Sequence, residues 1–161
     1  MQSLKNGLNK VLEVICIVLF AFITVVGTYQ IVTRYVFNAP STISEELLTF
    51  SFTWMSFLAA ALVFGKREHM RMEFIADKFK GKAGIILSIV SEIIVLVFSL
   101  LVLVYGGTAI TKLTTLQVTA SLGVPMSYIY AIVPVSGVLI LIYNIINISQ
   151  FVSQLKRENS K

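Results

Sequence analysis

The chain has 161 residues, 57% of them hydrophobic and 13% charged, with a formal net charge of +5. That charged fraction is about half of what a soluble domain carries, and no soluble basic surface exists to make the excess Lys and Arg a nucleic-acid site. A single cysteine, Cys16, excludes an internal disulfide and any cysteine-based metal cluster.

Residues 1–11 repeat Leu4, Leu8, Val11 and Leu12 at helical spacing beside Lys5 and Lys10. They read either as an amphipathic lead-in on the lipid surface or as a frayed terminus. Four long apolar stretches follow, over about Leu12–Thr33, Leu47–Gly65, Ile85–Tyr105 and Tyr128–Ile148. Each approaches the roughly 20 residues that a helix needs to cross a hydrocarbon core. Lipid accepts only helices or closed barrels, and no period-two alternation argues for a barrel. The expected fold is an all-α integral membrane protein with four transmembrane helices, forming one membrane domain over 1–161. The first stretch is too long for a signal-peptide core and is expected to be retained. Cys16 within it reads as a small, nearly apolar residue.

Between the first two spans, Tyr35 and Phe37 suit an interfacial aromatic belt. Asn38-Ala39-Pro40-Ser41 forms a turn. Either Ser44 or Thr42, the latter boxed with Glu45, can cap the second helix. The gap Lys66–Lys82 alternates charges with Met70, Met72, Phe74, Ile75 and Phe79, predicting a short amphipathic helix on the cytoplasmic membrane surface. Gly106-Gly107 marks the outer end of the third span, although Ile110, Leu113, Leu116 and Val118 continue a near-helical spacing. Ser121-Leu122-Gly123-Val124-Pro125 predicts a turn, and Pro134 predicts a kink in the fourth span.

Eleven of the thirteen basic residues fall before the first span, between the second and third, or after the fourth, leaving Arg34 and Lys112 opposite. Lys and Arg favour cytoplasmic loops, so both termini are expected inside.

Ionisable residues at membrane depth are costly and are the first candidates for function. Glu92 lies about 10 Å into the third span at 1.5 Å per residue. It must meet a polar partner, in this chain or another, and reads as a hydrogen-bonded structural carboxylate. Arg34, Glu45 and Glu46 share the outer end of the first two helices, where an Arg–carboxylate pair would tie the helices together; ligand capture is the alternative. On the second span Thr49, Thr53, Ser56 and Ala60 form a small polar stripe suited to close packing, beside Phe50, Trp54, Phe57 and Phe64. Trp54 lies near the midplane, where its indole N–H needs a partner. It faces either another membrane protein or the fourth helix. One histidine, His69, excludes bis-His haem ligation, and neither a nucleophile–base set nor a phosphate loop is present. No cofactor or metal is expected, and no enzymatic activity. No internal repeat of the kind that builds many autonomous transporters is visible.

With these residues in view, the chain resembles the small membrane subunit, DctQ-type, of tripartite ATP-independent periplasmic (TRAP) transporters. The resemblance rests on Arg34-Tyr35-Val36-Phe37, Ser44-Glu45-Glu46-Leu47, Trp54 with Leu58-Ala59-Ala60-Ala61, His69 with Met70-Arg71-Met72-Glu73-Phe74, and Leu122-Gly123-Val124-Pro125 leading to Pro134. A Trp often precedes the paired Glu in that family, and here Ile43 stands there. The resemblance implies a multi-pass protein of the bacterial inner membrane that partners a large multi-span permease and a periplasmic substrate-binding protein. Such systems take up organic acids, including dicarboxylates and sialic acids, with sodium. The large subunit carries the substrate and ion sites, while the small one braces it and helps dock the binding protein. An autonomous homo-oligomeric transporter or channel is the alternative, and would have to line its pore with Glu92. A membrane anchor for a redox enzyme is disfavoured by the shortage of histidines.

Overall fold

Long apolar runs with few breakers make long helices, and the computed structural model, which describes residues 2–66 and 82–159, is built from them. Helix α1 covers Gln2–Tyr35 and α2 covers Thr42–Lys66. Helix α3, Lys82–Phe98, runs on through a π-helical segment, Ser99–Gly106, into α4, Gly107–Leu113. Helix α5, Met126–Tyr130, leads into α6, Ile132–Asn159. Four helical stretches are long and apolar enough to cross a membrane: Lys5–Tyr35, Thr42–Lys66, Gly84–Leu113 and Met126–Ser153. Among the described residues there is no strand, only an isolated bridge between Val118 and Pro125. The surface helix expected within Lys66–Lys82 and the His69 motif lie outside the described residues. The lead-in before Leu12 is neither separate nor frayed from residue 2 onward, because it is the first part of α1.

Helix α1 ends where Asn38 takes the left-handed conformation (φ 48°), and the Ala39 N–H reaches back to the Thr33 carbonyl at 3.0 Å. Asparagine tolerates that region better than most residues. The cap of α2 is Ser41, not Ser44 or Thr42: its Oγ faces the Ser44 N–H at 3.4 Å, and the Ser44 hydroxyl donates to the Ser41 carbonyl at 2.9 Å. Gly106 and Gly107 do not stop the third span. Both keep right-handed helical angles, and the helix continues to Leu113.

Helix α6 is the most buried of the spans. Ile132, Ile140 and Tyr143 from α6 pack with Leu12 of α1 and with Leu58 and Ala61 of α2. Large apolar side chains such as Phe20, Phe52, Leu101 and Ile145 point outward, as lipid-facing positions require. Pro134 interrupts the fourth span as predicted, but the break falls at Ala131. A proline lacks the N–H that would bond the carbonyl four residues earlier, and its ring crowds that carbonyl. Here that residue is Tyr130, where α5 ends.

The π-helical segment is the part of the fold that hydropathy gives no sign of. A π turn widens the helix by one residue, and here it seats the third span on α6 at two glycines. A Cβ on Gly107 would lie 2.9 Å from the Pro134 ring, and one on Gly137 would lie 2.7 Å from Leu103 Cβ. The buried Ser99 hydroxyl donates to the Gly137 carbonyl at 3.0 Å. We expect Gly137→Ala to lower the melting temperature of the purified protein by about 2–6 °C, because overpacking a tight contact outweighs the gain in helix propensity. Gly7→Ala, at a helical site with nothing within 4 Å, should raise it slightly. An increase in both variants would show that the third and fourth spans are not locked at Gly137.

Candidate functional site

The ionisable side chains described within the spans gather near the two ends of the bundle. At one end, the short turn after α1 brings Arg34 against the first turn of α2, where its guanidinium pairs with the Glu45 carboxylate. Both side chains are about half exposed. The neighbouring Glu46 points another way. Its two carboxylate oxygens accept the backbone N–H groups of Ser121 (2.9 Å) and Leu122 (3.0 Å), 75 and 76 residues further along the chain. The two adjacent carboxylates therefore have different tasks: Glu45 joins α1 to α2, and Glu46 fixes the loop before α5.

That loop is closed on itself as well. The Thr119 N–H donates to the Val124 carbonyl (2.9 Å), and the Val124 N–H donates to Thr119 Oγ1 (3.1 Å). Gly123 adopts φ +65°, a value that favours glycine. Pro125 ends the loop, pairs with Val118 and begins α5, while the Met126 N–H reaches the Gln117 carbonyl at 2.8 Å. A carboxylate that accepts two backbone N–H bonds holds a turn more firmly than a neutral acceptor would. The segment 117–126 is thus a shaped feature braced on α2.

At the opposite end, Glu13 of α1 pairs with Lys66 of α2. At the same end, Lys5 Nζ donates to Asn147 Oδ1 (2.9 Å), and Asn147 Nδ2 donates to Glu92 Oε1 (3.1 Å). Lys5 and Asn147 are buried. The amide orients itself between a cation and a carboxylate and so links α1, α6 and α3. Glu92 thus finds a polar partner within its own chain. Neither Lys5 nor Asn147 stood out in the sequence, because a search for ionisable residues at membrane depth passes over an amide and a lysine close to the terminus. The spacing of Asn144 and Asn147 inside an apolar span was the available signal.

The stripe on α2 faces away from the bundle. Thr49, Ser56 and Ala60 are exposed, and the hydroxyls of Thr49, Thr53 and Ser56 donate to carbonyls four residues back at 2.8–2.9 Å. Trp54 is on the outer surface, 36% exposed, whereas Phe57 packs partly against the core. Pro134 sits against Gly107. Among the described residues, no group of three or more His, Cys, Asp or Glu side chains could hold a metal ion.

The family model for the DctQ component of tripartite ATP-independent periplasmic transporters matches residues 23–154. A TRAP transporter small permease protein of Haemophilus influenzae is 28% identical over 140 residues, covering 87% of this chain and 86% of its own. The sialic acid TRAP transporter small permease protein SiaQ of Vibrio cholerae is 31% identical over 138 residues, covering 86% and 79%.

The carboxylate of Glu46 is the one tie described between α2 and the Ser121–Leu122 backbone. In Glu46→Ala, the amides of Ser121 and Leu122 should exchange with solvent deuterium roughly tenfold faster, while the core of α6 keeps its protection. Glu46→Gln, with one accepting oxygen in place of two, should fall between. Unchanged exchange at both amides in the alanine variant would show that the loop is held by other means.

Proposed function

The chain belongs to the DctQ component family of tripartite ATP-independent periplasmic transporters, and from that premise we propose that it serves as the small permease subunit of a sodium-coupled uptake system for organic acids. It lies in the bacterial inner membrane with both termini in the cytoplasm, as the eleven-to-two division of Lys and Arg favours. That orientation turns the Arg34–Glu45 pair and the loop held by Glu46 toward the periplasm. The loop then forms part of the surface on which the periplasmic binding protein docks. The outward face of α2, with Thr49, Thr53 and Trp54, packs against the large multi-span permease, since small residues allow close approach and Trp supplies contact area.

The observation that carries the bracing role is where the polar groups go. Glu45, Glu46, Glu13 and Glu92 are each bonded to groups of this chain, so they tie helices and a loop together. Transporters of this kind coordinate ions where helices break in pairs. Here the fourth span, just past the break at Ala131, packs on the third span, with Pro134 against Gly107 and Gly137 against Leu103. Sialic acids are the substrate class we favour, on the strength of the Vibrio cholerae relative.

Reconstitution with its partners tests this reading. In proteoliposomes the chain alone should give no sodium-dependent uptake of a sialic acid, and adding the large permease and the binding protein should produce it. Trp54→Ala should co-purify less of the large permease than Phe20→Ala, whose side chain faces lipid. Uptake by the isolated chain would point to an autonomous transporter, and equal recovery of the permease in both variants would remove Trp54 from the interface.

A further inference from the structure

Two basic residues stand at the Arg34 end of the bundle, and they differ in what balances them. Arg34 is paired with Glu45, while Glu46 is taken up by the loop backbone. Lys112, in the last turn of α4, is exposed. Among the described residues its ammonium meets no carboxylate or other acceptor. One turn further into the span, the third and fourth spans leave an open groove of about 340 Å³. It is lined by Val104, Thr108, Pro134, Val135, Val138 and Leu139. The one hydroxyl in this lining, that of Thr108, already donates to the Tyr105 carbonyl at 2.8 Å. The walls therefore present hydrocarbon almost alone.

The ion pairs set the depth of these features. Glu13 and Arg34 on α1, and Glu45 and Lys66 on α2, are each 21 residues apart. At the helical rise that is about 31 Å, close to the thickness of a hydrocarbon core. Lys112 belongs near the Arg34–Glu45 boundary, because the loop that follows it is bound to Glu46. Thr108 lies one turn before Lys112 on the same face of α4, about 6 Å deeper. A helical side chain leans back over the turn that precedes it, so the Lys112 stem extends toward Thr108 and the groove. An apolar trough in the hydrocarbon with an unbalanced cation at its headgroup end has the polarity of a phospholipid. We propose that the groove and Lys112 form a binding site for one glycerophospholipid. An acyl chain lies along Val104, Pro134, Val135, Val138 and Leu139, and the phosphate accepts a hydrogen bond from the Lys112 ammonium. A lipid of net negative charge is preferred, since its headgroup carries no ammonium of its own to oppose the lysine. A partner helix fits less well. Close helix packing uses small residues, and Gly107 and Gly137 are already filled by contacts within this chain. On the orientation proposed above, the bound lipid belongs to the outer leaflet.

Native mass spectrometry of the full chain, stripped of lipid in detergent and titrated with dioleoyl phosphatidylglycerol, measures the affinity for the first lipid bound. It needs no partner subunit, so its outcome is separate from that of the transport reading. We expect Lys112→Gln to weaken binding roughly fivefold, the size of one lysine–headgroup attraction. Val138→Trp, which fills the groove, should weaken it at least as much. Lys10→Gln, at an exposed lysine of the opposite end, should leave it unchanged. Undiminished affinity in Lys112→Gln, or in folded Val138→Trp, would overturn the proposal. An equal loss in Lys10→Gln would do the same, by reducing the effect to a general attraction between lipid and cations. Should the tryptophan variant fail to fold, the two lysine variants decide. In the assembled complex, p-benzoylphenylalanine in place of Val135 should crosslink to lipid on illumination. An adduct with the large permease would give the groove to a protein partner and contradict the lipid site.

Discussion

Hydrocarbon can neither donate nor accept a hydrogen bond, and that condition accounts for where most of the described polar groups go. Along the spans, hydroxyls are satisfied at once by their own helix: Thr24, Thr28, Thr49, Thr53 and Ser56 all donate to the carbonyl four residues back. Groups that a single helix cannot satisfy are drawn into contacts between helices. Arg34 meets Glu45, Glu13 meets Lys66, Asn147 stands between Lys5 and Glu92, and Ser99 reaches the carbonyl of Gly137. In water such bonds would be exchanged for bonds to solvent at little net gain. For the enclosed groups, Lys5 with Asn147 and Ser99 with Gly137, the alternative in a bilayer is no partner at all, so these bonds help to fix which helix faces which.

The consequence is a bundle tied near both ends and filled by apolar packing between. Close approach at Gly107 and Gly137 sets the middle, where the π-helical segment seats the third span against Pro134 and Leu103 meets α6. Glu46 extends the same logic beyond the helices, holding the loop 117–126 to the start of α2. The described carboxylates Glu13, Glu45, Glu46 and Glu92 are committed to this subunit's own shape, which fits the proposed role as a brace for a larger permease. What it offers outward is the apolar and small-residue face of α2 and the loop that Glu46 fixes.

Much of this was legible in the sequence because hydropathy and chain direction determine it. Four runs of about 20 apolar residues allow four crossings, and a turn as short as Asn38–Ser41 makes Arg34 and Glu45 neighbours. Pro134 announced a break, and its displacement to Ala131 follows from the carbonyl that a proline leaves without its donor. Contacts set by register between distant helices were not legible. The partners of Glu46 are 75 and 76 residues away and are backbone groups, which carry no side-chain signature. The π turn depends on how Ser99 and Leu103 meet Gly137, a relation that no local pattern records. Glu92 could be recognised as needing a partner, but choosing Asn147 required knowing which face of α6 it meets. The cap of α2 was misplaced for a smaller reason: several hydroxyl residues in succession can each cap, and only the backbone path at Ser41 selects one.

On the proposed bracing role, this subunit should keep its shape while the large permease transports. Spin labels placed at Ile43, at the start of α2, and at Leu116, in the loop region beyond α4, both exposed, report the distance across the contact that Glu46 makes. Pulsed dipolar spectroscopy of the assembled complex in nanodiscs should return the same distance distribution without ligands, with sodium alone, and with sodium, substrate and the binding protein together. A second distance population that appears only with sodium and substrate would make this subunit a moving part of the transport cycle and contradict the account.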